Sequence, residues 1–390
     1  MKIKLYFIAF FISMNLFSAY AQMEGGDYKG FLIKKDQELP DIITIRVLEL
    51  GNYISQYSEV ETGKPLNGTY HIVVNRVKYN IGNFTKGIVN GDWEEYRYNS
   101  LAEKGTYKNG RPDGDYCYYS DGYVETRHTY KNGTSVHRIS HHANGKVSEE
   151  FSYDNEGKIH GNRVRYNNEG ILIASKGYAH GKYHGKHFEM DSQGQTTTSH
   201  YEHGQQVGDY SIHYANGNIR EKGTYNKNGE KIGKWIFAQE NGDIKQEITY
   251  LNDKRHGQEK SYYKGNIVKS IVEYANGKRN GKSTYYDESP NTIENEGDYQ
   301  DDKPHGVHKV YHKGILWKET LYRHGEAIQE KQYEDGKIKL LMLLDETGRL
   351  VNVQQYNKAG EKTYKNTTYK KHPSIQLKED DSGIVDIEFN

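Results

Sequence analysis

The stretch Gly105-Thr106-Tyr107-Lys108-Asn109-Gly110-Arg111-Pro112-Asp113-Gly114-Asp115-Tyr116-Cys117-Tyr118-Tyr119 holds a strand end, a turn and a second strand. Asn109-Gly110 is turn chemistry, because glycine accepts positive φ without steric penalty. A second glycine, Gly114, and an aromatic strand follow. The pattern extends outward in both directions. Its most regular element is an aromatic column, Phe84, Tyr107, Tyr130, Tyr153, Tyr178, Tyr201, Tyr225, Tyr250, Tyr274, Tyr299 and Tyr322, in steps of 23 to 25 residues. A fixed period of this size means one supersecondary unit copied in tandem, each copy burying its apolar face against its neighbours.

Glycine pairs follow the column at Gly110/Gly114, Gly157/Gly161, Gly181/Gly185, Gly204/Gly208, Gly229/Gly233 and Gly277/Gly281, and each pair is expected to bracket a short loop. The next strand is aromatic, and in Tyr210, Ile212 and Tyr214 the apolar residues alternate with Ser211 and His213, the period of a half-buried strand. Asp121-Gly122, Asn144-Gly145, Asn216-Gly217 and Asn241-Gly242 then supply strong hairpin signals. The unit is strand, tight turn, strand, loop. This predicts an all-β, elongated array of β-hairpins of about 24 residues each. A parallel β-helix is the surviving rival: it would advance about 4.8 Å per unit, against roughly 9.6 Å for hairpins laid side by side.

The stretch quoted first, and Gly223-Thr224-Tyr225-Asn226-Lys227-Asn228-Gly229-Glu230-Lys231-Ile232-Gly233-Lys234-Trp235, resemble the bacterial variant of the MORN (membrane occupation and recognition nexus) repeat. The resemblance spans residues 68–325 and implies a twisted antiparallel sheet of hairpins. It departs from the pattern at Thr134 to His137, where His137 replaces the second glycine, and at Leu251 to His256, where the first glycine is absent. The family resemblance further implies a binding role, with phospholipid contact and toxin neutralisation as specific suggestions.

Composition fits a thin sheet. Of 390 residues 34% are apolar, mean hydropathy is −0.98, and the packing material is 36 Tyr. Lys+Arg and Asp+Glu are both 53, so no global field favours nucleic acid or an anionic membrane. Residues 1–21 read as a secretory signal peptide: Lys2 and Lys4, an apolar run from Leu5 to Phe17, then Ala19-Tyr20-Ala21. Cleavage near Ala21 predicts a secreted, periplasmic or envelope protein without a transmembrane span. Cys117 is the only cysteine, so no internal disulfide forms, and it reads as a small strand residue. Sequons at Asn67, Asn83, Asn132 and Asn366 carry little weight in a chain rich in Asn, Gly and Thr.

Residues 22–67 are expected to form a degenerate capping hairpin, with strands at Ile42 to Leu48 and Tyr53 to Val60 split by Gly51-Asn52. Past Tyr322 the phase slips to Tyr333 and Tyr356. Residues 326–372 then read as shifted hairpins and a cap, in which Leu340 to Leu344 closes the last edge or makes an assembly contact. The tail, 373–390, is expected to carry one short strand at Ile384 to Phe389.

No nucleophile elbow, phosphate-binding glycine loop, H-E-x-x-H pair or cysteine cluster occurs, which predicts a non-enzymatic protein without a cofactor. His160, His184, His256 and His305 each precede a second glycine. Equivalent positions would stand about 9.6 Å apart, too far for two imidazoles to share one metal. The clusters His180, His184, His187 and His305, His308, His312 escape that argument but read as turn residues, and no metal site is expected. Lys64, Arg111, Lys158, Lys182, Lys231, Lys254, Arg255, Lys278, Arg279 and Lys303 are expected along one loop edge. Lys254, Arg255, His256, Lys278, Arg279, Lys303 and His305 are the candidate binding residues. The expected function is an exported scaffold for another protein. The alternatives are glycan, cell-wall or phospholipid-headgroup binding through aromatic faces or the basic edge, and antitoxin-like neutralisation.

Overall fold

The structure is a computed structural model that describes residues 31–35, 42–50, 54–75, 78–289, 291–367, 375–379 and 385–389. The expected leader at 1–21 and the Gly51-Asn52 split lie outside them. The described residues fall into two compact units, those within 1–191 together with 200–204, and those within 192–199 together with 205–390.

The first unit begins with β1 (Phe31–Lys35), β2 (Ile42–Glu49), β3 (Ser55–Glu59), β4 (Gly68–Asn75), β5 (Lys78–Thr85), β6 (Ile88–Arg97), β7 (Ser100–Lys108) and β8 (Arg111–Ser120). From β4 to Lys182–Met190 each strand pairs antiparallel with the next, as hairpins side by side require. In addition β1 pairs with β2 and β4, β2 with β3, and β3 meets β6 at Gln56↔Ile88. The first six strands therefore close into a hydrogen-bonded ring, and the repeats continue from it as an open sheet. Inside lie Ile45, Leu66, Tyr70, Ile72, Phe84 and Val89, with Val47, Tyr57, Trp93 and Tyr107 packed on them. Burial pushes the Tyr57 phenol up to about 12. A ring covers the exposed amides of the first repeat's edge, the usual liability of an open sheet.

In the second unit the strands from Gln205–His213 to Lys362–Thr367 also pair in sequence. The apolar strand Lys337–Leu344 lies between Glu326–Glu334 and Leu350–Tyr356, with Lys362–Thr367 beyond, so Leu340 to Leu344 does not close the edge. Its Leu341 and Leu343 are buried opposite the buried amides Gln354 and Asn352. The phase slip is one strand instead of two: the turns after Tyr322 and Tyr333, His324-Gly325 and Asp335-Gly336, both have two residues at positive φ. In the tail Ile375–Glu379 and Val385–Phe389 pair as a separate sheet, one strand more than expected.

The unit carries two kinds of turn. After the column, Asn109-Gly110 (φ +52, +78) is a two-residue type I′ turn, whose twist matches the flanking strands. Asn252-Asp253 (φ +51, +63) and Asp301-Asp302 (φ +50, +70) make the same turn without glycine, which accounts for the departure after Leu251. Asn144-Gly145, Asn216-Gly217 and Asn241-Gly242 belong to longer turns in which only the glycine is left-handed. In the first of these Gly145 N–H donates to His142 O at 2.9 Å and His142 N–H to Lys146 O at 2.8 Å.

The second glycine does not bracket a loop. Gly91, Gly114, Gly208, Gly257 and Gly281 lie inside strands at positive φ, each opposite the next column ring: Tyr107, Tyr130, Tyr225, Tyr274 and Tyr299. Between the pairs Tyr107↔Pro112 and Gly105↔Tyr116, β8 holds two more residues than β7, and Gly114 absorbs this bulge. Where His137 stands instead, Val136 alone is extra.

Packing also differs from a simple column. Phe84 is buried, but the column tyrosines are only half-buried. On the following strand Tyr116 and Trp235 are buried and Trp93 and His308 half-buried, and these four rings lie over Gly105, Gly223, Gly82 and Gly297, glycines at ordinary negative φ. A Cβ on Gly82 would sit 2.8 Å from Trp93 Cε3, and one on Gly105 2.7 Å from Tyr116 Cγ. These glycines serve space, not φ. Where the same position holds Val272, its cross-strand partner is the small, buried Ser283. Ring-on-glycine and valine-on-serine conserve volume, as a thin close-packed sheet demands.

Candidate functional site

The strand order brings the type I′ turns to one edge of each unit, and the turns are stitched together. The second turn residue donates its N–H to the preceding hairpin: Gly110 to Val89 O and Gly133 to Pro112 O at 2.8 Å, Gly181 to Ile159 O at 2.9 Å. In the second unit Asp253 donates to Lys231 O at 3.1 Å, Gly277 to Arg255 O at 2.8 Å and Asp302 to Arg279 O at 2.9 Å. Each repeat boundary thereby gains a backbone bond outside the ladder, worth on the order of 1 kcal/mol net.

The candidate binding residues sit beside this seam, at strand starts instead of in loops. Lys254, Lys278 and Lys303 each open a strand and are exposed, and His256 and His305 are exposed two residues on. Arg255 lies over the Tyr274 ring at 5.2 Å, donates to its hydroxyl at 3.1 Å and pairs with Glu259 at 3.0 Å. Arg279 lies 4.0 Å over Tyr299 and pairs with Asp302 at 3.4 Å, while Lys278 stands 3.8 Å from Asp301. Hydrogen bonding from the Arg279 backbone N–H, then the guanidinium, holds the Asp302 carboxyl below its ordinary range. Turn carboxylates thus interleave with the cations. Among the remaining edge cations, Lys231 covers the Trp235 ring at 3.9 Å and Lys158 pairs with Glu156 at 2.7 Å.

The histidine clusters do not assemble as groups. His187 is buried between Tyr183 and Tyr201, its Nε2 2.9 Å from Gly177 O, and desolvation holds its pKa below the usual imidazole value. His184 instead lies 5.7 Å from His203, ring to ring, and His180 lies 5.3 Å from His160. His308 fills the space over Gly297, between Tyr299 and Tyr322, while His305 and His312 stay exposed.

Cys117 is half-buried, and its thiol is pushed up mainly by burial. Near the ring a polar chain runs from Lys78 to Glu95 at 2.9 Å, on to Arg97 at 2.7 Å and Glu103 at 2.9 Å, and ends on the Tyr116 hydroxyl. Burial raises the Glu103 pKa. A shallow depression of about 370 Å³ is lined by Tyr214, Arg220, Glu221, Phe237, Ala238, Gln239, Glu240 and Lys245.

One surface feature escaped the sequence reading. Trp93 and Trp235 each cover a glycine, but Trp317 is 47% exposed, near Ile315 at 65% on its own strand. Val307, 44% exposed, stands on the paired strand opposite Leu321. Alternation from Leu321 back to Trp317 puts Trp317, Leu321 and Val307 on one face, and the bulge at Trp317 turns Ile315 away from it.

Residues 206–227 and 255–276 match the family model of the MORN repeat variant. Both segments are similar to that repeat. Each match contains a positive-φ glycine strand and the column tyrosine that it pairs with, Gly208↔Tyr225 and Gly257↔Tyr274, so the matched segment is centred on the longer turn. No curated protein matches the chain. MORN repeats commonly bind proteins or membrane lipids. Among the described residues no helix is long and apolar enough to cross a membrane.

Proposed function

We propose that this MORN-repeat chain is an exported, non-enzymatic scaffold that holds another protein against its sheet. The exposed Trp317, with Val307 on the same face, carries the reading. Tryptophan is enriched among the residues that dominate protein–protein contacts, and a large ring left exposed beside another exposed apolar side chain is the feature such a surface offers. The seam around Lys254, Arg255, Lys278, Arg279 and Lys303 favours lipid or glycan less, since Asp301, Asp302 and Glu259 pair with its cations.

The test uses the full chain with a photoreactive side chain at position 307 in envelope extracts. A discrete protein adduct that disappears in Trp317→Ala is expected. Co-sedimentation with phosphatidylglycerol vesicles or with cell-wall sacculi, in place of a protein adduct, would overturn the reading.

A further inference from the structure

Metal sharing between equivalent positions of neighbouring hairpins is geometrically poor, but the turn seam brings inequivalent positions together. His160 stands in a strand immediately before its second glycine, and His180 is the first residue of the next type I′ turn, at φ +50. The stitch from Gly181 N–H to Ile159 O at 2.9 Å folds that turn onto the preceding repeat. The two imidazoles end 5.3 Å apart, and Asp154 Oδ2 lies 2.8 Å from His180 Nδ1. One ligand atom from each of Asp154, His160 and His180 lies within 4.8 Å of the other two.

We propose that Asp154, His160 and His180 form a binding site for a divalent transition-metal ion of the zinc class. Two imidazole nitrogens and a carboxylate oxygen are a donor set suited to zinc, nickel or cobalt, with the remaining positions left to water. Around a tetrahedral ion such atoms stand roughly 3.4 Å apart, so closure needs inward rotation of exposed imidazoles by an ångström or so. The ion takes the place of the proton between His180 Nδ1 and Asp154 Oδ2, and the imidazole binds as the neutral tautomer with its one proton on Nε2. The other carboxylate oxygen is already committed: Oδ1 accepts from Glu156 N–H and Lys158 N–H at 2.9 Å and fixes the carboxylate against its turn. The chain also contains an internal control. His184 and His203 repeat the geometry one hairpin on at 5.7 Å, but Ala179 stands where Asp154 would be.

Substitutions that preserve each local fold exist elsewhere in the chain. Asn109, Asn132 and Asn276 occupy the turn position of His180, Asn90 and Asn280 precede the second glycine as His160 does, and Asn226 accepts the turn amides as Asp154 does. Full-length protein stripped with chelator is titrated with Zn²⁺ by calorimetry and with Co²⁺ by visible absorption. One site per chain is expected, weakened at least tenfold by each of Asp154→Asn, His160→Asn and His180→Asn and unchanged by His203→Asn. Co²⁺ should give the absorption of a nitrogen- and oxygen-ligated ion, lost in the same three variants. Unaltered affinity in those variants, or equal weakening by His203→Asn, would overturn the assignment.

Discussion

Replacing Gly223 with alanine tests whether the ring-on-glycine contact organises a repeat. A Cβ there would sit 2.6 Å from Trp235 Cγ and closer still to Cδ2 and Cε2. The indole has little room to yield: it is 0% exposed, flanked by Tyr210, Tyr225, Phe237 and Tyr250, and covered by Lys231. Overpacking of this kind costs about 1–3 kcal/mol. The reciprocal change, Trp235→Ala, opens a cavity at about 3–5 kcal/mol. With the indole gone, alanine at 223 meets no ring and its strand preference gives back roughly 0.5–1 kcal/mol. The double-mutant cycle should therefore show a favourable coupling of about 1.5–4 kcal/mol, beyond what independent sites give. Because the contact belongs to one junction between neighbouring strands, its effect is read locally: hydrogen exchange of the amides in Ile219–Tyr225 and Lys231–Ala238. Equal loss of protection from Gly223→Ala in the native and Trp235→Ala backgrounds refutes the reasoning.

Acid should destabilise the array through histidines. Burial holds His128, His141 and His187 below the ordinary imidazole value. The unfolded chain then binds protons first as pH falls, so stability is intact above about 6.5 and is lost progressively below it. The difference in Tm between pH 7.5 and 5.5 should shrink in His187→Gln, which keeps a donor for Gly177 O. In the glycine-free turn, Asp253→Gly relieves a left-handed aspartate but removes the 2.8 Å bond from Lys231 N–H, and these terms, about 1 kcal/mol each, nearly cancel. Asp253→Val, which strains the turn and loses the bond, should lower Tm by several degrees. Trp317→Ala should leave Tm within a degree or two while abolishing partner capture.

The hairpin period was legible because aromatic spacing and Asn-Gly pairs are local signals. So was the first turn, since only left-handed residues build type I′. The role of the second glycine was not legible: a positive φ inside a strand and one inside a loop look alike until the ladder places Gly114 opposite Tyr130. Gly105 and Gly223 were in plain view two residues before their column tyrosines, yet their use depends on a ring on the next strand. The ring of β1 to β6 depends on long-range pairings such as Gln56↔Ile88, which no local pattern encodes. At the edge, lysines and arginines were easy to find. That Asp301 and Asp302 would face Lys278 and Arg279 followed only from the stacking of turns.

Tandem copies carry a hazard of their own, because any strand can mistake a distant sibling for its neighbour while the chain is being made. The glycine vacancies beneath Trp93, Tyr116, Trp235 and His308 act against that error. An indole offered to Val272 in place of Ser283 finds a wall instead of a hollow, and Ser283 set over Gly223 in place of Trp235 leaves an empty space. Each junction therefore carries its own fitting, and near-identical hairpins can be told apart by shape before any partner arrives.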